Sequence, residues 1–150
     1  LVSRHQERVY GAIVRQTGDR EAAKDLTQEV FVRVFRGLNG FSFRSEFSTW
    51  VYRITLNVVN SYFGSRSWKQ TSASVELSES HIRDLVDETA SSRAREELLL
   101  QVQRAVGELP PHYRNVVALV SFEGKSCAEA AEILEVPVGT VYSRMNQALQ

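Results

Sequence analysis

The 150-residue sequence predicts an all-α protein made of two small helical domains joined by a flexible linker. Three observations carry that prediction. Apolar residues recur at three- and four-residue spacing throughout, and the β-branched runs never alternate strictly with polar residues. The prolines, Pro110, Pro111 and Pro137, all lie in the last 41 residues, leaving the first part free of helix breakers. One stretch, 64–92, holds eight Ser and two Thr in 29 positions with little sustained periodicity, and reads as a linker. Within it, Ile82, Leu85 and Val86 could form one weakly docking apolar turn. The chain divides accordingly into 1–66, a hinge 67–92, and 93–150.

In the first part, a helix is expected over roughly 4–17, with Val9 and Ile13 inward. Gly18 and Asp19 punctuate, and Asp19 suits an N-cap because its carboxylate can accept a free helix-start N–H. A second helix, 20–37, places Leu26, Val30 and Val34 on one face. After the loop Leu38–Arg44 a third helix starts near Ser45 or Glu46 and runs to Phe63. At 100° per residue, Phe47, Trp50, Val51, Ile54, Val58 and Tyr62 form one broad apolar face, and Tyr52, Leu56, Val59 and Phe63 a second. Between them Thr49, Arg53, Asn57 and Asn60 fall within about 80° of one another. Such a strip is either a solvated face or a row of hydrogen-bonding groups kept for a ligand.

In the last part, a helix near 93–108 turns Leu98, Val102, Val106 and Leu109 inward and is stopped by Pro110-Pro111. A helix over 112–121 follows, with Tyr113, Val116, Val117 and Val120 inward. Ser126-Cys127-Ala128-Glu129 fits a capping box. It opens a short helix with Cys127, Ala130, Ala131 and Leu134 on one face. Glu135-Val136-Pro137 turns the chain into a last helix with Val138, Val141, Met145 and Ala148 inward.

Composition excludes several classes. With 43% hydrophobic and 24% charged residues the chain is neither disordered nor fibrous. Eighteen basic residues balance eighteen acidic ones, which argues against a uniformly basic nucleic-acid coat or an acidic tail. The balance is uneven locally: net charge is +4 over 1–66, −3 over 67–92 and −1 over 93–150. A single cysteine, Cys127, rules out an intrachain disulfide framework or a thiolate-rich zinc site. Its helical phase is that of an inert buried thiol. No run approaches the roughly 18 apolar residues of a membrane span, and no apolar segment follows a basic start as a signal peptide would. The expectation is a soluble cytoplasmic protein. His5, His81 and His112 are scattered without i, i+4 partners, and no Gly-rich phosphate loop occurs. No catalytic residue, metal site or cofactor is expected, and the chain is not read as an enzyme.

Two constellations suit nucleic acid. The short helices joined at Glu135–Pro137 read as a helix-turn-helix, or as a plain packing unit of the same spacing. As a helix-turn-helix, the second helix would lie in a major groove with Thr140, Tyr142, Ser143, Arg144 and Gln147 outward. Arg144 could pair with guanine or hold a phosphate, and Gln147 could read adenine. The segment Phe41–Trp50 interleaves aromatics with Arg44 and hydroxyl groups. That mixture suits unstacked single-stranded bases, unless Phe41, Phe47 and Trp50 simply fill the core.

These residues resemble bacterial RNA polymerase sigma factors. Asp25-Leu26-Thr27-Gln28-Glu29-Val30-Phe31, then Phe47-Ser48-Thr49-Trp50-Val51-Tyr52-Arg53-Ile54 with Asn57, are similar to the family's conserved region two. Glu108-Leu109-Pro110-Pro111-His112-Tyr113-Arg114 and Val136-Pro137-Val138-Gly139-Thr140-Val141-Tyr142-Ser143-Arg144 are similar to region four. Two such regions with a short linker point to the extracytoplasmic-function group.

The resemblance implies that Asp25, Gln28, Glu29, Val32 and Arg33 dock on the coiled coil of the polymerase β′ subunit, with the β flap as a second contact. It implies that Phe43, Arg44 and Ser48, with Arg53, Asn57 and Asn60, open the minus-ten element and hold a flipped base, offsetting an unstacking cost of a few kcal/mol. The helix from Thr140 to Gln147 would read the minus-thirty-five duplex, and an anti-sigma partner would hold the protein inactive. Two departures stand out. Glu135 occupies a turn position where the family commonly has Gly, so a φ > 0 there is expected to be strained or shifted. Tyr142 stands where a basic residue is common. Two readings compete with the resemblance: a free-standing helix-turn-helix regulator, and an interaction adaptor that touches no nucleic acid.

Overall fold

The computed structural model of the chain describes residues 2–65 and 92–150; the expected Ser-rich hinge, with Ile82, Leu85 and Val86, lies outside the described residues except for its last residue, Ser92, which opens a helix instead. Among the described residues all regular structure is helical, and no helix is long and apolar enough to cross a membrane.

The N-terminal unit comprises α1 (Val2–Thr17), α2 (Arg20–Gly37), a 3₁₀ turn Leu38–Gly40, and α3 (Phe47–Phe63). Asp19 caps α2 as expected, its Oδ1 accepting the Ala22 N–H at 3.0 Å. Gly18 reverses the chain at φ 68°, and a Cβ there would meet the side chains of Gln103 and Leu100, so this turn requires glycine. Val9, Ile13, Val30, Val34, Val51 and Val58 form its core. Thr27 and Thr55 are buried among them at no polar cost, because each hydroxyl donates to the carbonyl four residues back, at 2.6 and 2.9 Å.

The C-terminal unit comprises α4 (Ser92–Glu108), α5 (Pro111–Val117) running into a π-helical turn at Ala118–Phe122, then α6 (Cys127–Leu134) and α7 (Val138–Ala148). Pro111 sits in the first turn of α5, where its missing N–H costs nothing. The capping box forms in both directions: Glu129 N–H donates to Ser126 Oγ at 3.1 Å, and Ser126 N–H to Glu129 Oε2 at 3.2 Å.

The two units pack on each other, and α3 is the element they share. Its first apolar face and the Val59–Phe63 half of its second face the N-terminal core. Leu56, with Tyr52 beside it, instead enters the C-terminal core formed by Val116, Leu119, Ala130, Ile133 and Val141. The second apolar stripe thus exists because α3 contributes to two cores.

Several inward assignments need correction. On α4, Leu98 is buried, but Gln101 and Gln103 are more deeply buried than Val102 and Val106. For Gln103 the reason is a second neighbour: its Nε2 donates to the Arg15 and Val14 carbonyls in the last turn of α1 at 2.6 and 3.3 Å. The helix expected over 112–121 widens into a π turn. Cys127 is only partly buried, and Val138 is 44% exposed because it lies in the first turn of α7, ahead of the packed Val141. Phe31 and Ile133 belong to the cores and fell outside the expected lines.

Candidate nucleic-acid interface

Phe47 opens α3, and ahead of it Phe41 gathers the aromatic side chains of the loop. Its ring centroid lies 4.9 Å from that of Trp50 and 5.7 Å from that of Phe47. Phe41, Phe47 and Trp50 are half-buried, so packing is their first role. Phe43 differs. It stands 84% exposed at φ 58°, a conformation rarely taken by a bulky residue, with its ring centroid 4.7 Å from that of Phe41. An unpartnered aromatic face on an aromatic platform is suited to stacking on an unpaired base. Arg44 is exposed beside it and Ser48 is half-buried at the start of α3.

The polar strip of α3 is not simply a solvated face. Arg53 Nε donates to the Ile133 carbonyl at 2.6 Å and Nη2 to the Glu132 carbonyl at 3.0 Å, while Nη1 lies 3.2 Å from the Glu135 carboxylate. A guanidinium from the N-terminal unit therefore caps the C-terminal end of α6, where the helix dipole is negative and carbonyls have acceptor capacity to spare. Asn60 Nδ2 donates to Asn115 Oδ1 at 2.9 Å, and its Oδ1 accepts from Arg114 Nη1 at 3.1 Å. Asn57 alone of the three is exposed, with no side-chain hydrogen bond among the described residues. Arg44, Thr49 and Arg53 share a groove of about 640 Å³ with Glu129, Glu132 and Glu135 of the opposite unit.

The spacing rules did not find the partners of this strip. Arg114 is buried, donates also to the Leu109 carbonyl at 2.7 Å, and lies 4.6 Å over the Phe63 ring. Burial lowers its pKa from the ordinary guanidinium value. Its sequence signal was its place at the end of the Glu108–Arg114 motif, which carries no indication of burial. Glu123 forms a two-point ion pair with Arg15, at 2.9 and 2.8 Å. That bond raises the Arg15 pKa, and burial, assisted by the Glu123 charge, pushes the neighbouring Tyr52 phenol up, so Tyr52 stays neutral.

The outward face of α7 is open. Tyr142 is 57% exposed, Ser143 is exposed, and Thr140 and Arg144 are half-buried. Gln147 is exposed with its Oε1 engaged by the Tyr113 hydroxyl. Between α6 and α7, Glu135 adopts φ 57°, ψ 43°, the left-handed conformation expected of that turn without the glycine that would take it freely.

A third surface lies on α2. Asp25, Gln28, Glu29 and Val32 are exposed at helical spacing, and Arg33 is half-buried with its Nε donating to Glu29 at 2.9 Å. Exposed Val32 and Phe35 continue into a groove between α1 and α2 lined by Gln6, Tyr10, Thr27 and Phe31. A ridge of acid and amide groups beside an apolar groove has the anatomy of a protein-docking site.

Comparison with known proteins adds to this geometry. Sigma-70 region 2 matches residues 1–69, and Sigma-70 region 4 matches residues 99–150. The RNA polymerase sigma-H factor of Pseudomonas aeruginosa is 32% identical over 99% of this chain and 80% of its own length. The ECF RNA polymerase sigma-E factors of Haemophilus influenzae and Escherichia coli are 32% and 30% identical. They match 99% of this chain and 81% and 80% of their own lengths. Among solved structures, CnrH in complex with the cytosolic domain of CnrY shares the fold with a TM-score of 0.62 at 23% identity, covering 98% of this chain and 79% of that one. RpoE in complex with the anti-sigma factor NepR from Bartonella quintana has a TM-score of 0.60 at 17% identity, covering 98% and 88%.

Proposed function

Because the chain belongs to the extracytoplasmic-function sigma factors of bacterial RNA polymerase, transcription initiation factors that direct core polymerase to promoters, we propose a division of that work among its three surfaces. Residues 1–66 bind core polymerase and open the minus-ten element, 67–92 connect, and 93–150 read the minus-thirty-five duplex. Asp25, Gln28, Glu29, Val32 and Arg33 dock on the β′ coiled coil, and the second unit meets the β flap. Phe43, Arg44, Ser48, Arg53, Asn57 and Asn60 hold the displaced single strand, with Phe43 offering a stacking face and the amides reading a flipped base. Thr140, Tyr142, Ser143, Arg144 and Gln147 face the major groove.

The chain performs no chemistry of its own and needs no cofactor; the polymerase supplies catalysis. It acts in the cytoplasm, where the polymerase is, and an anti-sigma factor controls it, as the partner named for RpoE suggests. The observation that supports this division most is the exposed Phe43 ring in the loop ahead of α3, in a chain whose α7 keeps a separate reader face.

The test is selection from randomised duplexes by core polymerase carrying the full chain. Two separated sequence blocks are expected to be enriched, and Arg144→Ala should relax the upstream block by about 1–3 kcal/mol of discrimination at one position. Enrichment of a single block by the chain without polymerase would point instead to a free-standing regulator.

A further inference from the structure

One side chain of the α7 face is held from behind. Gln147 Oε1 accepts the Tyr113 hydroxyl at 2.5 Å, a short hydrogen bond joining the first turn of α5 to the last turn of α7. The other outward residues, Thr140, Tyr142, Ser143 and Arg144, make no side-chain hydrogen bond among the described residues. We propose that Tyr113 sets the base preference of Gln147. Its hydroxyl turns the amide oxygen toward α5 and leaves the amide nitrogen, a donor alone, to face the DNA, so that Gln147 selects guanine over adenine. This inference rests on the reading of α7 given under Proposed function.

Tyr113 is built to fix a partner. Pro110 and Pro111 set the start of α5, and the Tyr113 N–H donates to the Pro110 carbonyl at 3.0 Å. Three residues on, Val116 is fully buried in the same core as Val141 of α7, so the phenol leaves α5 on the face that packs toward α7. The ring is half-buried, and its centroid lies 4.0 Å from that of His112. Gln147 is the opposite kind of side chain, exposed and long, with a terminal amide that turns freely unless something holds it. A phenol on a fixed helix start supplies that hold before any DNA arrives.

The direction of the amide decides what it can read. Adenine presents an acceptor, N7, beside a donor, N6, in the major groove, and a glutamine satisfies both only when its oxygen and nitrogen face the base together. Guanine presents two acceptors, N7 and O6, which suit a group that only donates. The adenine pairing open to Gln147 by residue type is therefore disfavoured by its neighbour. Local sequence around Gln147 carries no sign of this, because Tyr113 lies 34 positions away.

The experiment uses core polymerase carrying the full chain, with enrichment at each position of the upstream block read for wild type, Tyr113→Phe, Gln147→Ala and the double variant. Phe keeps the ring and its packing and removes the hydroxyl alone. Gln147→Ala identifies the position that Gln147 reads, as the one whose preference disappears. There, wild type should favour guanine over adenine by about fivefold, the worth of one neutral hydrogen bond. Tyr113→Phe should bring the two bases to about equal enrichment by raising adenine, with every other position unchanged. In the double variant the Tyr113 change should add nothing to the Gln147 change, since the two act through one contact.

A merely structural Tyr113 would weaken all positions alike, and that result overturns the proposal. So does a wild-type preference for adenine at the Gln147 position, an unchanged profile with Tyr113→Phe, or a Gln147→Ala variant that loses no preference. The two readings fail separately. If Arg144→Ala relaxes the upstream block while Tyr113→Phe leaves it untouched, the positioning role alone is wrong; if the wild-type chain enriches no upstream block, α7 is not the reader and both fall.

Discussion

Val32→Asp is expected to weaken association of the chain with core polymerase by about 100-fold, close to 3 kcal/mol. In the free chain Val32 is 41% exposed on the outward face of α2, so a carboxylate there keeps its water and folding stability should change by less than about 0.5 kcal/mol. In the docked state the same carboxylate would lie among Gln28, Glu29 and the partner surface. There it adds a like charge to Glu29 and loses hydration without a new counterion. Titration of labelled chain with core polymerase reads the effect directly, and unchanged thermal unfolding confirms that α2 is intact. Retained affinity would mean that the α2 ridge is a solvated face.

Asn57→Ala should reduce promoter opening by about 10- to 100-fold while leaving core binding and closed-complex formation unchanged. The magnitude follows from losing a hydrogen-bonded amide in a base pocket, about 1–3 kcal/mol. Asn57 is the cleaner probe because it is exposed and without a side-chain hydrogen bond among the described residues, whereas Asn60 also ties the two units together. Alanine is the better helix former, so α3 gains slightly in stability and lost activity cannot come from unfolding. Permanganate reactivity of non-template thymines reports the opened bases. Full reactivity with the variant would remove Asn57 from the pocket.

Local chemistry was legible in the sequence. Asp19 caps α2, Ser126 and Glu129 form their box, Pro111 starts α5, and the apolar spacing locates each α-helix among the described residues, because each depends on residues within a turn or two. Contacts between the units were not legible. Gln103 lies on the flank of an apparent Val102–Val106 stripe, yet it is buried because the end of α1 needs a donor. Leu56 and Tyr52 showed as a second stripe whose destination no periodicity could give. Arg114 is a buried cation with no local signature, since its partners Asn60 and Phe63 are more than 50 residues away. The π turn was also silent, because Ala118–Phe122 reads as ordinary helix while its geometry leads Glu123 toward Arg15.

The candidate site divides along the same line. Thr49, Arg53, Asn57 and Asn60 were found together because a single helix carries them. That two of them would be engaged by α5 and α6 follows from tertiary packing alone. The substitution of Glu for a turn glycine was visible, but its consequence needed the position of Arg53.

Run-off transcription reads promoter-specific initiation by this chain without an intermediate step. Core polymerase would be supplied with the full wild-type chain on templates enriched by the holoenzyme, with start sites mapped at single-nucleotide resolution. Discrete starts are expected at a fixed distance downstream of the two enriched blocks, absent with core polymerase alone. Starts that do not depend on the chain, or none at all with it, would show that it does not direct initiation.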